Sequence, residues 1–264
     1  MKVITLNVNG LRSALKKGLY RWLAVQDADF ICLQEIRLGT DISYEPYYLP
    51  GYHCYFQAAL KKGYSGVAIL SKKTPTEVNR RLGLESADEE GRFLELVFED
   101  WHLISLYMPS GSSSEVAQKK KIAFLDFFSL YLQKIARQKK AVLICGDWNI
   151  AHKNEDLKNW KANQNKPGFT PEERAWLDFI FNEVGFIDVF RSINQKDNQF
   201  TWWSNRANAF NNNVGWRIDY QIASPAFKGE AIESLIYTQQ RFSDHAPLVM
   251  HYAFDDYKRT FLPI

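Results

Sequence analysis

Short apolar runs bounded by Gly, Pro or polar residues recur along the chain, and many of them combine Val, Ile and Leu with aromatic residues. Runs of this length and composition are typical of β-strands. The pattern therefore predicts extensive β-sheet. The predicted strands span residues 3–8, 30–34, 52–57, 66–71, 93–98, 102–107, 141–145, 200–203, 218–223, 234–237 and 248–252.

Longer segments carry apolar residues at the helical period, which predicts amphipathic helices. The clearest has Thr170 as its N-cap, Pro171 in its first turn and Glu173 at the position that completes a capping box. The predicted helices span residues 16–26, 114–136 and 171–184.

The predicted strands and helices are separated by long loops over residues 39–51, 80–91, 151–169 and 205–214. No Gly/Ser-rich linker divides the chain, so we expect one domain over residues 1–264. The order of the elements fits an α/β fold in which two packed sheets are flanked by helices.

Composition narrows the class of protein. With 264 residues and 46% hydrophobic residues, the chain can bury a sizeable core. A net charge of +3 is compatible with a polyanionic partner but does not identify one. The three cysteines, Cys32, Cys54 and Cys145, show no disulfide or metal spacing, which indicates a reducing compartment. No apolar run approaches membrane-spanning length, so we expect a soluble, cytoplasmic protein without membrane association.

Polar clusters lie at the ends of several apolar runs, over residues 7–10, 34–35, 146–149 and 243–247. Strands of one sheet that end together bring their terminal residues to one rim. Such a rim would hold carboxylates, carboxamides and a histidine. These groups can bind a hard divalent cation and direct water at a phosphate ester.

Two carboxylates are the leading candidates at this rim. Glu35 ends a strand near Asn7 and Asn9, which favours an oxygen-rich metal site, although a solvated carboxylate is the ordinary alternative. Asp147 and Asn149 are two residues apart, so on an extended segment both point the same way. Asp147 could then accept a proton from water and Asn149 could donate to a phosphate oxygen. The alternative is an Asx turn at the strand end.

His245 and Tyr107 are further candidates for this site. Asp219, on the predicted strand 218–223, could accept the imidazole N–H of His245 and fix its tautomer. Tyr107 ends a predicted strand and could offer its phenol to a phosphate; a capping aromatic is an equally good interpretation.

Consecutive Trp202 and Trp203 place one ring on each face of a strand, so at least one should reach the rim or solvent. Beside Arg217, Arg206 and Asn163, exposed aromatic rings suit stacking on a distorted nucleotide. Lys119, Lys120 and Lys121 are predicted to form a solvated helix surface. The basic residues that could follow phosphates are Arg12, Lys16, Lys17, Arg37, Lys61, Lys62 and Arg92.

Together these segments resemble the exonuclease III family of AP endonucleases, within the endonuclease/exonuclease/phosphatase superfamily. The resemblance extends from Lys2 to about Phe254. The matching segments are residues 7–12, 33–35, 63–67, 90–92, 146–152, 168–174, 214–220 and 243–247.

The resemblance implies a four-layered α/β sandwich with two mixed sheets. It also implies Mg²⁺-dependent cleavage of double-stranded DNA 5′ to an abasic site, which leaves a 3′-hydroxyl, with Mn²⁺ able to substitute. A 3′-phosphodiesterase acting on blocked 3′ ends and a 3′→5′ exonuclease accompany this activity. The implied enzyme is a monomer that works in base excision repair.

The resemblance also assigns roles to residues of this sequence. The implied catalytic residues are Tyr107, Asp147, Asn149, Asp219 and His245. The implied metal-site residues are Asn7, Glu35, Asp147, Asn149, Asp244 and His245. The implied DNA-binding residues are Arg12, Arg37, Tyr64, Arg92, Asn163, Trp202, Arg206 and Trp216.

The sequence departs from the family pattern at a few positions. Asn9 stands where some members have Asp, and residues 110–114 replace Asn or Arg near the DNA. Arg206 and Ala207 replace the bulkier residues that are commoner in the DNA-penetrating loop. These changes bear on the balance between endonuclease and exonuclease activity.

The alternatives belong to different functional classes. One is a 3′-end-processing exonuclease or phosphatase of the same superfamily with weak incision at abasic sites. A second is a lipid-headgroup phosphodiesterase with the same metal and Asp–His chemistry. A third is a DNA-binding protein without catalysis, against which the complete set of candidate acid, base and metal residues argues.

Overall fold

Two six-stranded mixed sheets form the centre of the structure, a computed structural model that describes residues 1–253. Phe254, where the resemblance ends, and the rest of the predicted domain lie outside the described residues. In chain order the strands are β1 (Lys2–Asn7), β2 (Phe30–Gln34), β3 (His53–Gln57), β4 (Val67–Ser71), β5 (Glu77–Asn79), β6 (Phe93–Val97), β7 (Trp101–Tyr107), β8 (Ala141–Asp147), β9 (Ile187–Asp188), β10 (Trp202–Trp203), β11 (Gly215–Trp216), β12 (Asp219–Ala223), β13 (Ala231–Ile236) and β14 (Leu248–Tyr252).

The first sheet has the order β13-β14-β1-β2-β4-β3, and the second has the order β5-β6-β7-β8-β12-β9. The pairs β1–β2 and β7–β8 are parallel, and the other described pairs of these sheets are antiparallel. Side chains from both sheets form one buried cluster, in which Phe30 packs on Trp101. Cys32 and Cys145 are fully buried in this cluster, as small hydrophobic residues.

Helices cover the outer face of each sheet. The helices are α1 (Leu11–Lys16), α2 (Leu19–Gln26), α3 (Glu85–Glu89), α4 (Glu115–Arg137), α5 (Trp160–Asn163), α6 (Pro171–Asn182) and α7 (Val189–Ile193). Apolar side chains of α1 and α2 pack against the first sheet, and those of α4 and α6 pack against the second. The layers run helix, sheet, sheet, helix, which confirms the predicted four-layered α/β sandwich.

The capping box predicted for α6 is present. Thr170 Oγ1 accepts from the backbone N–H of Glu173 at 3.2 Å, and Glu173 Oε2 accepts from the backbone N–H of Thr170 at 3.0 Å. These bonds satisfy N–H groups that have no partner within the helix.

The predicted helix over residues 16–26 is wrong in its extent, because the chain forms α1 and α2 with a break at Gly18. Gly18 has a φ of 88°, a left-handed conformation that ends one helix and begins the next. Short elements also lie inside predicted loops: α3 within residues 80–91 and α5 within residues 151–169. Such short helices carry too few residues to show a period.

Lys121 corrects the expectation that residues 119–121 form a solvated surface. Its side chain is fully buried, and its Nζ lies 2.6 Å from Glu173 Oε1 and donates to the backbone carbonyl of Asn149 at 2.8 Å. Lys121 shares the buried face of α4 with Phe124, Leu125 and Phe128, at helical spacing. That spacing was readable from the sequence, but the buried partner on α6 was not.

We expect Lys121→Met to lower the free energy of unfolding by about 3–5 kcal/mol, because it leaves the carboxylate of Glu173 buried without its cation. Urea denaturation would measure the change. The neighbouring exposed Lys119 provides the matched control, and Lys119→Met should change stability by less than about 0.5 kcal/mol. Adding Glu173→Gln to Lys121→Met should recover part of the loss. Equal, small losses for both lysines would contradict a buried ion pair.

Candidate active site

The polar clusters predicted at strand ends lie around one cavity of about 510 Å³. They come from both sheets rather than from one, because the ends of β1 and β2 meet those of β7 and β8. This corrects the expectation of a rim formed by a single sheet. The predicted residues that line the cavity are Glu35, Arg37, Tyr107, Asp147, Asn149, Trp202, Trp216, Asp244 and His245.

Asn7 connects the carboxylates of the two sheets. Its fully buried Nδ2 donates to Glu35 Oε1 at 2.8 Å and to Asp147 Oδ2 at 2.9 Å, while its Oδ1 accepts from the backbone N–H of Asn9 at 2.9 Å. The amide therefore turns its donors, and not its oxygen, toward the acidic groups. In this geometry Asn7 orients two candidate metal ligands.

Asp147, Asp219 and His245 form a buried cluster. Asp147 and Asp219 are directly opposite each other on β8 and β12. His245 Nδ1 lies 2.8 Å from Asp219 Oδ2, and its Nε2 lies 3.9 Å from Asp147 Oδ2. The imidazole thus has one nitrogen on Asp219 and the other directed toward Asp147.

The electrostatics of this cluster differ between its members. Burial raises the pKa of the Asp147 carboxyl well above its ordinary value, and the charge of Asp219 raises it further. Burial lowers the pKa of His245, but the charge and hydrogen bond of Asp219 outweigh that effect and raise it to about 10. At neutral pH His245 is therefore an imidazolium, while Asp147 can exchange a proton.

The same cluster could hold a metal ion. One ligand atom from each of Asp147, Asp219 and His245 lies within 4.8 Å of the others. Asp219 Oδ1 is buried and has no hydrogen-bond partner in residues 1–253, which leaves an acceptor for a cation. Glu35 adds a further carboxylate beside Asp147 through Asn7. Carboxylate and amide oxygens suit a hard divalent cation.

Asp147 and Asn149 satisfy both interpretations of their spacing. Asp147 Oδ1 accepts from the backbone N–H of Asn149 at 2.9 Å, which is the Asx turn, and both residues also line the cavity. Asn149 Nδ2 donates to the carbonyl of Met108 at 2.8 Å. The turn thus fixes Asn149 with its amide beside the cavity.

Tyr107 is 9% exposed, and its ring lies 4.6 Å from the Arg92 guanidinium carbon. Burial raises the pKa of its phenol well above the ordinary value, with a further contribution from the charge of Glu35. The phenol therefore stays protonated and can donate. Arg92, a predicted DNA contact, is 3% exposed and bonds to Glu90, Tyr64 and the carbonyl of Tyr107. Arg92 is therefore buried against the ring of Tyr107.

The two tryptophans of the cavity face each other. Trp202 and Trp216 are paired residues of β10 and β11, and their ring centroids are 6.4 Å apart at 82°. Trp203 is 3% exposed and packs with Phe210, so the expected division of the consecutive rings between two faces is found. The half-buried Trp202 is the ring that reaches the cavity.

The remaining predicted DNA contacts are dispersed on the surface. Arg12 donates to Tyr47 Oη at 2.8 Å, and Arg37 lies 2.6 Å from Glu35 Oε2. Tyr64 is 37% exposed, Asn163 bonds within α5, and Arg206 is exposed in its loop. Of these five side chains, Arg37 is the one that lines the cavity.

Arg217 is not available to stack on a nucleotide, which corrects that expectation. It is 1% exposed, and it forms ion pairs of 2.7 Å with both Asp156 and Asp188. Because these partners lie far away in sequence, the sequence alone did not reveal them. The ion pairs anchor the segment between Trp216 and Asp219.

A sequence profile of the endonuclease/exonuclease/phosphatase family matches residues 4–245. The chain belongs to this family. The match includes the strand ends that carry Glu35, Asp147 and His245, and it confirms the predicted family.

Relatives within the family include an exodeoxyribonuclease, an AP endonuclease and a 3′ phosphatase. The chain is 38% identical over 252 residues to an exodeoxyribonuclease of Bacillus subtilis, covering 94% of this chain and 98% of that protein. An AP endonuclease from Archaeoglobus fulgidus has a TM-score of 0.87 at 29% identity, covering 96% of this chain and 100% of that one. The 3′ phosphatase NExo from Neisseria, bound to a product DNA hairpin, has a TM-score of 0.86 at 25% identity, covering 96% and 99%. The chain thus has family relatives that act on DNA, and they align with nearly its whole length.

Within residues 1–253, no helix is both long enough and apolar enough to span a bilayer.

Proposed function

We propose that this protein is a DNA repair AP endonuclease that hydrolyses the phosphodiester 5′ to an abasic site and leaves a 3′-hydroxyl. The observation that carries the proposal is the cavity itself, where the cluster of Asp147, Asp219 and His245 lies beside the paired rings of Trp202 and Trp216. One part suits phosphate hydrolysis, and the other suits a small sugar that carries no base. The nuclease relatives support the same substrate class.

In the proposed reaction, Asp147 accepts a proton from water as the water oxygen attacks phosphorus and the bond between phosphorus and the 3′ oxygen breaks. The departing 3′ oxygen takes a proton from solvent and becomes the 3′-hydroxyl. The raised pKa of Asp147 suits a general base that works near neutral pH. The imidazolium of His245 directs its Nε2–H toward the phosphate, where negative charge develops. Tyr107 and Asn149 donate to the same phosphate oxygens.

We infer that Glu35 and Asp147, oriented by Asn7, would hold Mg²⁺, for which Mn²⁺ could substitute. A cation bound there would neutralise charge on the phosphate group and lower the pKa of nearby water. The bonds from Asn7 to both carboxylates, at 2.8 and 2.9 Å, support this assignment, because they fix two acidic groups of different sheets in one place.

The aromatic part of the cavity would select the damage. A nucleotide without a base leaves the helix at a lower cost, since no base has to be unstacked. Trp202 and Trp216 could enclose the bare sugar and exclude an intact nucleotide by shape. Arg37 is proposed to contact the DNA at the cavity, and Arg12, Tyr64, Asn163 and Arg206 are proposed to contact it outside the cavity.

The second candidate function is processing of 3′ ends, with 3′-phosphodiesterase and 3′→5′ exonuclease activity and weak incision at abasic sites. The likeness to the Neisseria 3′ phosphatase favours it. Both functions use the same phosphate chemistry. They are therefore distinguished by the ratio of activity on abasic sites to activity on 3′ ends.

We further infer that residues 1–264 act as one domain and as a monomer. Asn9 and Asp244 support a single domain, because residues near both ends of the described chain line the same cavity. The free cysteines support a cytoplasmic location.

We expect incision of a labelled duplex that carries a single abasic analogue in Mg²⁺, and no incision in excess chelator, because the acidic cavity needs a cation to accept a phosphate. Gel analysis of the labelled strand would measure it. An undamaged duplex and a 3′-phosphate duplex are the substrate controls. Full activity in chelator would contradict the metal dependence, and faster action on the 3′-phosphate than on the abasic site would favour the second function.

A further inference from the structure

The carboxylate of Asp244 bonds to the aromatic part of the cavity, whereas the two oxygens of Asp147 accept from Asn149 and Asn7. Asn9 Nδ2 donates to Asp244 Oδ1 at 2.8 Å, and the indole Nε1 of Trp202 donates to Asp244 Oδ2 at 3.1 Å. Each carboxylate oxygen therefore has a neutral N–H donor. Asp244 also does not belong to the buried cluster of Asp147, Asp219 and His245.

Asp244 and His245 are neighbours in the chain whose side chains serve different groups. The imidazole of His245 contacts Asp219, whereas the carboxylate of Asp244 contacts Trp202 and Asn9. Their backbone is joined to β10, since Trp203 N–H donates to the Asp244 carbonyl at 3.1 Å. The segment thus carries one residue of the hydrolytic cluster and one contact to the aromatic part of the cavity.

Trp202 needs such a contact to keep a single orientation. It lies on a strand of two residues, is only half-buried, and meets Trp216 edge to face at 6.4 Å. A large ring at such a site has other rotamers available. A hydrogen bond to an ionised acceptor is stronger than one to a neutral acceptor and would select one rotamer.

Asn9 helps to hold the carboxylate of Asp244 because its own side chain is uncharged. An aspartate at this position would place a second carboxylate against Asp244, and the two would repel each other unless a cation lay between them. The amide of Asn9 donates a hydrogen bond instead. Asp244 is therefore held in place by the protein alone.

We propose that Asp244 is a positioning residue rather than a metal ligand: its carboxylate, held by Asn9, fixes the indole of Trp202 and thereby sets the selectivity for abasic over intact nucleotides. The part of this proposal that concerns selectivity rests on the proposed function as an AP endonuclease. The contact between Asp244 and Trp202 is a property of the protein without metal or DNA, so it can be tested separately.

The contact is tested first by nuclear magnetic resonance of the ¹⁵N-labelled protein without metal or DNA. The indole resonance of Trp202 is the one that Trp202→Phe removes. We expect Asp244→Ala to shift this resonance upfield in the proton dimension, and Asp244→Asn, which keeps an acceptor oxygen, to shift it less. An indole resonance that Asp244→Ala leaves unmoved would overturn the proposal.

Selectivity is tested by the ratio of kcat/KM on abasic and undamaged duplexes. Asp244→Ala and Trp202→Phe should each lower the ratio by about tenfold, the usual effect of losing a hydrogen bond to a charged group. Their double variant should lose no more than one of them, because both remove the same bond. Asn163→Ala is the control: its side chain bonds to the Asn159 carbonyl and has no hydrogen bond to Asp244 or Trp202, so any effect it has should multiply with that of Asp244→Ala. Multiplying losses for Asp244 and Trp202 would overturn the proposal.

Metal binding separates this role from that of a ligand. Paramagnetic resonance of free Mn²⁺, without DNA, should show a larger loss of affinity in Glu35→Gln than in Asp244→Ala. Equal losses would overturn the proposal. A wild-type protein that incised no abasic duplex would instead contradict the proposed function, and the indole resonance would then still decide whether Asp244 fixes Trp202.

Discussion

Asp147→Asn is expected to reduce the single-turnover rate on abasic duplex by about 10³–10⁴-fold, near the upper end of the effect of removing a general base. The substitution keeps the shape of the side chain and an oxygen for the Asn149 N–H, whose bond to Asp147 is 2.9 Å. It removes the group that takes the proton from water. Affinity for DNA, measured by fluorescence anisotropy, should change far less than the rate.

The control for Asp147→Asn is Asp126→Asn, the same change at an exposed position on α4, which should leave rate and binding unaltered. The pH dependence gives a second test. Since burial raises the pKa of Asp147, the wild-type rate should rise with pH above the ordinary carboxyl range as the base loses its proton. This rise should be absent in Asp147→Asn. A loss below about tenfold, or an unchanged pH profile, would contradict the role of a base.

The parts of the fold that depend on local pattern could be predicted from the sequence. The strands β2 (Phe30–Gln34) and β14 (Leu248–Tyr252) have the predicted bounds, and the capping box of α6 is the one that Thr170 and Glu173 indicate. The alternation of Trp202 and Trp203 also follows from strand geometry alone. In each case the neighbours in sequence contain the information.

The rest depends on contacts between distant residues. Lys121 and Arg217 look like surface cations, and only their partners Glu173 and Asp156 show that they are buried ion pairs. A strand's own pattern also does not say which sheet it joins, so the meeting of two sheets at the cavity could not be foreseen.

The position of the candidate site could be predicted better than the roles of its residues. Strand ends identified Glu35, Asp147 and His245 as residues near one cavity, because a polar cluster after a buried run marks the point where a strand leaves the core. Which atoms bond to which is a different question. The sequence could not show that Asn7 turns its donors to the carboxylates or that Asp244 bonds to Trp202.

Asp219→Asn and His245→Ala should each reduce turnover by about 10²–10⁴-fold, and the double variant should be scarcely slower than the slower single variant. The bond of 2.8 Å between His245 Nδ1 and Asp219 makes the pair one functional unit. Without the charge and hydrogen bond of Asp219, the largest contribution that raises the pKa of His245 is lost, so the imidazole is protonated less and stabilises the phosphate less. Single-turnover rates on abasic duplex would be measured for the wild type, the two single variants and the double variant.

The sign of the pH dependence makes this prediction specific. In the wild type, Asp219 keeps His245 protonated at neutral pH, since it raises the pKa to about 10. In Asp219→Asn the pKa falls, so lowering the pH should protonate the imidazole again and bring the rate closer to that of the wild type. Because the charge of Asp219 also raises the pKa of Asp147, the rate of Asp219→Asn is divided by that of the double variant, which lacks the same charge. The double variant has no imidazole and should show no such recovery. Losses that multiply, or a ratio that is independent of pH, would contradict the pairing of Asp219 with His245.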